Sequence, residues 1–123
     1  MPPVRVSFYA DEDGRAPALE WIRRLGLRAR RRCVALVRRL AALGHEMRRP
    51  AAAYLGDDLY ELRARAGRVQ IRILYFFHGR NEAVLVHALA KEDRIPKSDL
   101  DRVLERRGRF LTAPGSHRHE EEV

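Results

Sequence analysis

Apolar and polar residues alternate along three stretches in the second half of the chain, residues 59–65, 69–77 and 83–91. Alternation with a period of two is the pattern of half-buried β-strands, and Gly67 marks a tight turn between the first two stretches. A shorter alternating stretch, residues 4–9, predicts one further strand near the start. Because strands joined by short turns pair antiparallel, we expect the three later strands to pair in that way.

The predicted hairpin collects polar side chains on one face. Successive side chains of a strand point to opposite faces, so Glu61, Arg63 and Arg65 share one side of the first strand. In the second strand Gln70 and Arg72 share a side, opposite a row of apolar residues. Arginines held on a rigid sheet form a phosphate-binding fork that a flexible loop would not keep in place. The pattern therefore points to nucleic acid as a ligand.

Apolar residues at helical spacing predict three helices. The first begins near Pro17, which suits an early helical position, and Gly26 ends it. A longer helix over residues 27–43 has Gly44 at its C-terminal cap position. The last helix opens around Pro96 and carries an apolar stripe along one face.

The predicted order of elements is β-α-α-β-β-β-α, which defines an α+β fold. We expect an antiparallel-rich sheet with a helical hairpin on one face and a C-terminal helix. Residues 1–112 form the predicted domain, and the charged residues 113–123 are predicted to be a flexible tail. The opposite face of the sheet is expected to stay partly open, with Arg63, Arg65 and Arg72 projecting from it.

Composition and charge favour a soluble globular domain with a polyanionic partner. Lysine and arginine number 25 against 17 aspartate and glutamate, a formal net charge of +8, and such an excess attracts nucleic acid. Nearly all of these cations are arginine, a bias that a GC-rich genome also produces. No apolar run approaches the roughly 20 residues of a membrane span and no leader is visible, so a cytoplasmic protein is expected. The lone Cys33 is expected to be a buried, inert thiol.

Five short segments and one proline, each weak alone, are specific in their joint order. They are LEWI at 19–22, LAALGH at 40–45, LYELR at 59–63, IRILYFF at 71–77, VHALAK at 86–91, and then Pro96 before the last helix. In this order the chain resembles the RelE superfamily of bacterial toxins, and within it the HigB-like, phage-derived branch. The resemblance covers roughly residues 4–112.

The resemblance implies a RelE/ParE-like fold and the toxin of a type II toxin–antitoxin pair, with a cognate helix-turn-helix antitoxin as partner. Toxins of the RelE type are endoribonucleases that cleave mRNA, commonly on the ribosome, without a metal or other cofactor. The 2′-hydroxyl attacks the adjacent phosphorus and leaves a 2′,3′-cyclic phosphate and a 5′-hydroxyl. This reaction needs a proton acceptor, positive charge at the phosphorane and a proton donor. The implied partners are therefore antitoxin, mRNA and ribosome, and no membrane.

The resemblance also implies catalytic roles for four residues. Arg72 falls on the family's arginine in the second strand of the hairpin and is the first choice for phosphate stabilisation. Arg63 is a second phosphate contact or a proton-transfer partner. Lys91 lies beside a position where relatives carry a basic catalytic residue. His87 shares a face with Lys91 by alternation, and its imidazole suits proton transfer near neutral pH.

Four further arginines are expected to bind RNA through its phosphates. Arg65 and Arg68 flank the hairpin turn, and Arg31 and Arg38 lie on the polar face of the long helix. Each arginine also has an ordinary structural interpretation, namely a solvated helix face or, for the strand residues, an ion pair across the hairpin. No metal site is expected.

Three departures from the relatives keep other functions open. Glu61 stands where some relatives have lysine, Glu92 stands where some are basic, and no tyrosine follows Tyr75. One alternative is a gyrase-inhibiting toxin of the ParE type, which the retained strand arginines and lysine disfavour. The other is a non-catalytic module that binds RNA or a partner protein, which the lack of a clear proton donor favours.

Overall fold

A six-stranded mixed sheet organises the chain in the computed structural model, which describes residues 3–121. In chain order the elements are β1 (Arg5–Tyr9), α1 (Pro17–Arg23), α2 (Leu27–Leu43), a 3-10 turn (Gly44–Glu46), β2 (Ala52–Gly56), β3 (Leu59–Ala66), β4 (Val69–His78), β5 (Glu82–Ala90), α3 (Lys97–Thr112), α4 (Pro114–His117) and β6 (Arg118–His119). The strands lie side by side in the order β2-β3-β4-β5-β1-β6. Only the β1–β5 pair within this range is parallel. The predicted α+β class is confirmed.

The three strands predicted from alternation are present within one residue of their expected bounds. The predicted helices are confirmed as well, with α1 beginning at Pro17 and α2 ending at Leu43 with Gly44 as its cap. Helix α1 ends at Arg23, before Gly26, which is the N-cap of α2. Gly44 has φ of +53°, a conformation that a glycine adopts without the steric strain of a Cβ atom.

The α1–α2 hairpin covers one face of the sheet, which we call the hairpin face. Leu62, Ile73 and Leu85 on this face are fully buried, and they pack in one apolar cluster with Ile22 and Leu40 of the two helices. Cys33 of α2 lies in the same cluster, and burial raises the pKa of its thiol to about 11. This agrees with the expected inert thiol.

The opposite side, which we call the basic face, is defined by Arg63, Arg65 and Arg72. Helix α3 covers only part of it. Phe110 of α3 packs edge-on against Phe76 of β4, with ring centroids 5.5 Å apart. The apolar cluster under α3 includes Leu59 of β3 and Leu74 of β4 but none of the three arginines. Arg63 and Arg65 are partly exposed on this face as expected, whereas Arg72, which the sequence predicts to project from it, is buried with a side chain only 9% exposed.

Strand β2 (Ala52–Gly56) is not among the strands that the alternating pattern predicts. Its alanine-rich sequence has low β propensity, so alternation does not reveal it. Asp57 and Asp58 both have positive φ, 53° and 59°, and form the tight turn that joins β2 to β3. The Gly-Asp-Asp sequence before Leu59 was the available signal for this hairpin.

Residues 113–121 differ from the flexible tail that the sequence predicts for 113–123, while residues 122 and 123 lie outside the described residues. Helix α4 brings His117 into the interior, where its Nδ1 lies 2.7 Å from the carbonyl oxygen of Ala10. The His117 ring stacks on Tyr9 with centroids 5.4 Å apart. Strand β6 then pairs antiparallel with β1. The charged composition of this segment does not predict such packing. The packing depends on hydrogen bonds that His117 and Arg118 make with specific partners, Ala10 and Glu82.

One buried carboxylate connects β5, β1 and the C-terminal segment. Glu82 accepts hydrogen bonds from Ser7 Oγ at 2.6 Å, from Arg118 Nε at 2.7 Å and from His78 Nδ1 at 2.9 Å. Burial alone would raise the pKa of Glu82, but the hydrogen bonds from Arg118, Ser7 and His78 outweigh it and lower the pKa to about 2. The ionised form is therefore the one that holds these elements together.

Within residues 3–121 no helix has the length and apolar character needed to cross a membrane.

The low pKa of Glu82 predicts acid sensitivity. The unfolded chain binds this proton near pH 4.5 and the folded chain only near pH 2, so the stabilisation is complete above pH 4.5 and disappears as the pH falls towards 2. We expect the free energy of unfolding to drop by up to about 3 kcal/mol over that range. Urea denaturation at several pH values measures it. The Glu82→Gln variant should be less stable at pH 7 and lose most of this pH dependence; an unchanged pH dependence would contradict the assignment.

Candidate functional site

Two arginines face each other across the β3–β4 ladder on the basic face. Arg63 and Arg72 are directly opposite in the antiparallel register, and Arg72 is opposite Leu89 on the other side. Directly opposed residues have Cβ atoms about 4.5–5.5 Å apart, so the two guanidinium groups belong to one cluster. The structure thus brings together the two residues that the sequence selects first for phosphate stabilisation.

A buried carboxylate lies between these arginines. Glu61 Oε2 is 3.2 Å from Arg63 Nε, and Glu61 Oε1 is 3.6 Å from Arg72 Nε. The Glu61 side chain is 3% exposed and that of Arg72 is 9%, whereas the Arg63 side chain is 36% exposed. The ion pair across the hairpin, which is the ordinary structural interpretation of Arg72, is therefore present, and Glu61 also contacts Arg63 within β3.

Neither contact of Glu61 satisfies hydrogen-bond geometry. Glu61 Oε1, Arg63 Nε and Arg72 Nε are all buried without a hydrogen-bond partner among the described residues. Buried polar atoms are normally hydrogen-bonded, so these exceptions need an explanation such as a bound water, an ion or a catalytic role. The cluster is thus charge-compensated but not fully hydrogen-bonded, and of its two arginines Arg63 is the one with a substantially exposed side chain.

Arg65 and the loop after β5 complete this end of the basic face. Arg65 Nη2 donates to Glu92 Oε1 at 2.7 Å and to Gln70 Oε1 at 3.2 Å. Arg72 Nη2 donates to the Glu92 carbonyl oxygen at 3.5 Å. Lys91 begins this loop with an exposed side chain, and its backbone N–H donates to the Gln70 carbonyl at 2.9 Å. The loop therefore carries a lysine and a glutamate to the edge of the arginine cluster.

A β-bulge determines where His87 points. The β4–β5 register shifts so that Tyr75 is opposite Leu85 while Leu74 is opposite His87, which leaves Val86 as the extra residue. The shift separates Leu85, on the hairpin face, from His87, on the basic face two positions from Arg72 in the ladder. Strict alternation along β5 would place His87 on the same face of the sheet as Leu85. The bulge places the two side chains on opposite faces.

Helix α3 holds the His87 ring from both sides. Nε2 lies 2.6 Å from Asp99 Oδ1, and Nδ1 lies 3.4 Å from Arg106 Nη1. An arginine only donates, so Nδ1 is the accepting nitrogen and Nε2 carries the proton that is donated to Asp99. Burial lowers the pKa of His87, and the hydrogen bond from its ring to Asp99 opposes that effect without cancelling it. His87 is therefore neutral at pH 7.

The remaining sequence-selected residues do not converge on this cluster. Arg31 and Arg38 are exposed on α2, which packs on the hairpin face, so they lie on the other side of the sheet. Arg68 is exposed in the β3–β4 turn near Arg65. Sequence reasoning missed Arg106 as a partner of His87, because no local pattern links residues on α3 and β5.

A compensated arginine pair on a half-covered sheet has the chemistry that binding an anion requires. Residues 20–108 match the family model described as phage-derived protein Gp49-like (DUF891), which is well over half of the 123 residues. The chain therefore belongs to the Gp49-like family, which is associated with RelE-like toxins of toxin–antitoxin systems. Membership of a toxin–antitoxin family implies an antitoxin as partner. No curated protein matches the chain.

The described residues include no group of three or more His, Cys, Asp or Glu side chains placed to hold a metal ion.

The position of Glu61 predicts strong coupling with Arg72. Glu61→Gln removes the charge that separates two opposed arginines, so we expect a loss of about 1–3 kcal/mol in the free energy of unfolding. In an Arg72→Gln background the same change should cost at least about 1 kcal/mol less. A double-mutant cycle by urea denaturation measures the difference, with Glu105→Gln on exposed α3 as control. Additive effects of the two substitutions would contradict the proposed coupling.

The environment of His87 predicts that the pKa of its ring is lower than that of an ordinary histidine. Because burial lowers its pKa, the folded protein keeps the neutral ring at pH values where the unfolded chain is already protonated. Stability contributed by this site is present above pH 6.5 and decreases as the pH falls below it. NMR titration of the His87 ring should give a pKa below 6.5. A value at or above 6.5 would show that the Asp99 hydrogen bond dominates instead.

Proposed function

We propose that this protein is the toxin of a type II toxin–antitoxin pair, with a RelE-like arrangement of the HigB-like branch, and that it cleaves mRNA in the cytoplasm without a metal. The opposed arginines Arg63 and Arg72 on the basic face are the observation that carries the proposal. Membership of the Gp49-like family and the net charge of +8 support it. The proposed partners are a helix-turn-helix antitoxin, mRNA and the ribosome.

The arginine pair suits the charge that develops during RNA cleavage. The 2′-oxygen forms a bond to phosphorus as the bond to the 5′-oxygen breaks, and negative charge accumulates on the non-bridging oxygens of the phosphorane. Arg72, held on a rigid strand, donates to one of these oxygens once the phosphate displaces Glu61 from its buried Nε, and the more exposed Arg63 donates to another. Because Glu61 offers both arginines only poor hydrogen-bond geometry, an incoming phosphate improves on the contacts it replaces.

Proton transfer is assigned to Lys91 and His87. The neutral His87 ring donates from Nε2 to Asp99 and has its lone pair on Nδ1, so Nδ1 is the atom that accepts the 2′-hydroxyl proton once Arg106 moves aside. Lys91 lies on the exposed loop beside the arginine cluster and supplies the proton to the departing 5′-oxygen. Arg65 and Arg68 hold flanking phosphates. Arg31 and Arg38, on the far side, contact ribosomal RNA.

The Arg72→Ala variant tests this function directly. We expect it to lose about 10²–10³-fold of the cleavage rate, because a donor to the phosphorane is removed. Mapping mRNA 5′ ends shortly after induction in a bacterium should show cuts within translated codons for the wild type and none for the variant. Purified variant should still fold and bind antitoxin.

Arg24→Ala is the control for the loss of one positive charge, since Arg24 is an exposed arginine at the end of α1. It should cleave like the wild type. Toxicity with intact mRNA and DNA-damage signalling would support a gyrase-inhibiting toxin instead. Equal cleavage by Arg72→Ala and wild type would remove the catalytic assignment.

A further inference from the structure

The loop after β5 places an acidic side chain on the arginine cluster. The Glu92 carboxylate is bound by Arg65 at 2.7 Å, and the Glu92 backbone carbonyl accepts from Arg72 at 3.5 Å. Both partners of the Arg65–Glu92 ion pair are about half exposed, 51% and 59%. Exposed ion pairs are weak and are easily exchanged for another anion. Glu92 thus marks a position on the protein surface where a negatively charged group is already accommodated.

We propose that Arg65 and Gln70 form a phosphate-binding subsite for RNA, and that the Glu92 carboxylate occupies this subsite until RNA displaces it. The proposal extends the proposed function by placing a second phosphodiester of the substrate next to the one at Arg63 and Arg72. Arg63 and Arg65 are two residues apart on one face of β3, a separation of about 6.8 Å along the strand. One strand therefore presents two guanidinium groups to successive phosphates of an extended RNA chain.

The surface beyond Arg65 favours a long polyanion over a single acidic group. Arg65 and Gln70 line a concavity of about 420 Å³ that extends to the hairpin face, where Arg32 and Arg39 of α2 form its other wall, and none of its lining residues is acidic. Arg68, in the adjoining turn, has no ion pair within residues 3–121. An RNA strand that extends beyond the subsite would contact further arginines that have no ion-pair partner among the described residues. A single carboxylate would bind at the subsite alone, so these arginines favour RNA.

The chain supplies a closely matched pair of glutamates for the test. Glu105 on α3 forms an exposed ion pair with Arg109 at 2.7 Å, with 64% and 49% exposure. Its distance and exposure are nearly those of the Glu92–Arg65 pair. Glu92→Gln and Glu105→Gln therefore make the same change in net charge and in ion pairing, and only the first opens the proposed subsite.

The experiment measures binding of a fluorescein-labelled single-stranded RNA with 2′-O-methyl groups, which cannot be cleaved, by anisotropy. We expect Glu92→Gln to lower Kd about 2–5-fold, the range that loss of one exposed competing ion pair allows. Glu105→Gln should change Kd clearly less. In an Arg65→Ala background the difference between the two substitutions should disappear, because the subsite itself has been removed.

Several results would overturn the subsite. If both glutamine variants lower Kd equally, the effect comes from the change in net charge and not from a subsite. If Glu92→Gln still lowers Kd in the Arg65→Ala background, Arg65 is not part of the subsite. Tighter binding of an acidic peptide, with RNA binding unchanged, would assign this surface to a protein partner.

The subsite and the proposed function fail independently. If no RNA is cleaved but Glu92→Gln still binds the methylated RNA more tightly than Glu105→Gln, the subsite stands and the catalytic proposal falls. If RNA is cleaved and Glu92→Gln changes neither Kd nor KM, the ribonuclease stands and the subsite falls.

Discussion

Two arginines directly opposite each other on neighbouring strands require a negative charge between them, and the basic face of this protein is built on that constraint. Like charges in directly opposed positions destabilise a sheet, and burial makes the repulsion stronger because water screens it less. Glu61 supplies the compensating charge from the same face, 3.2 and 3.6 Å from the two Nε atoms. It compensates both arginines without hydrogen-bonding their Nε atoms, so the stability of the hairpin and the proposed anion binding depend on the same carboxylate.

Another buried carboxylate, Glu82, differs from Glu61 in its hydrogen bonding. It is hydrogen-bonded by Ser7, Arg118 and His78, and this network fixes the C-terminal segment to the sheet. Its hydrogen bonds give Glu82 a structural role, whereas the incomplete hydrogen bonding of Glu61 supports the proposal that an anion binds beside it. Glu82 thus holds the β1 and β6 end of the sheet together, and Glu61 lies at the proposed ligand-binding end at β3 and β4.

Much of the fold follows from sequence pattern alone, because alternation in β3, β4 and β5 is strong and the helices have clear apolar stripes. The shared face of Arg63 and Arg72 follows from the same alternation and is confirmed. The pattern failed where structure depends on distant partners. The bulge at Val86, which turns His87 to the basic face, has no local signature. Strand β2 is alanine-rich, and the packing of residues 113–121 depends on Glu82 and Ala10, far away in the chain.

The parallel pairing of β1 with β5 has a consequence for the order in which the sheet assembles. Strand β1 is synthesised first, but its two neighbours in the sheet are residues 82–85 of β5 and residues 118–119 of β6. Contacts between such distant segments form slowly, because the intervening chain loses entropy when they close. A chain still emerging from the ribosome can fold its central hairpin, but it has no partner for its first strand. The β1 side of the sheet therefore forms only after residues 82–85 and 118–119 have been made, and it is completed later than the β3–β4 hairpin.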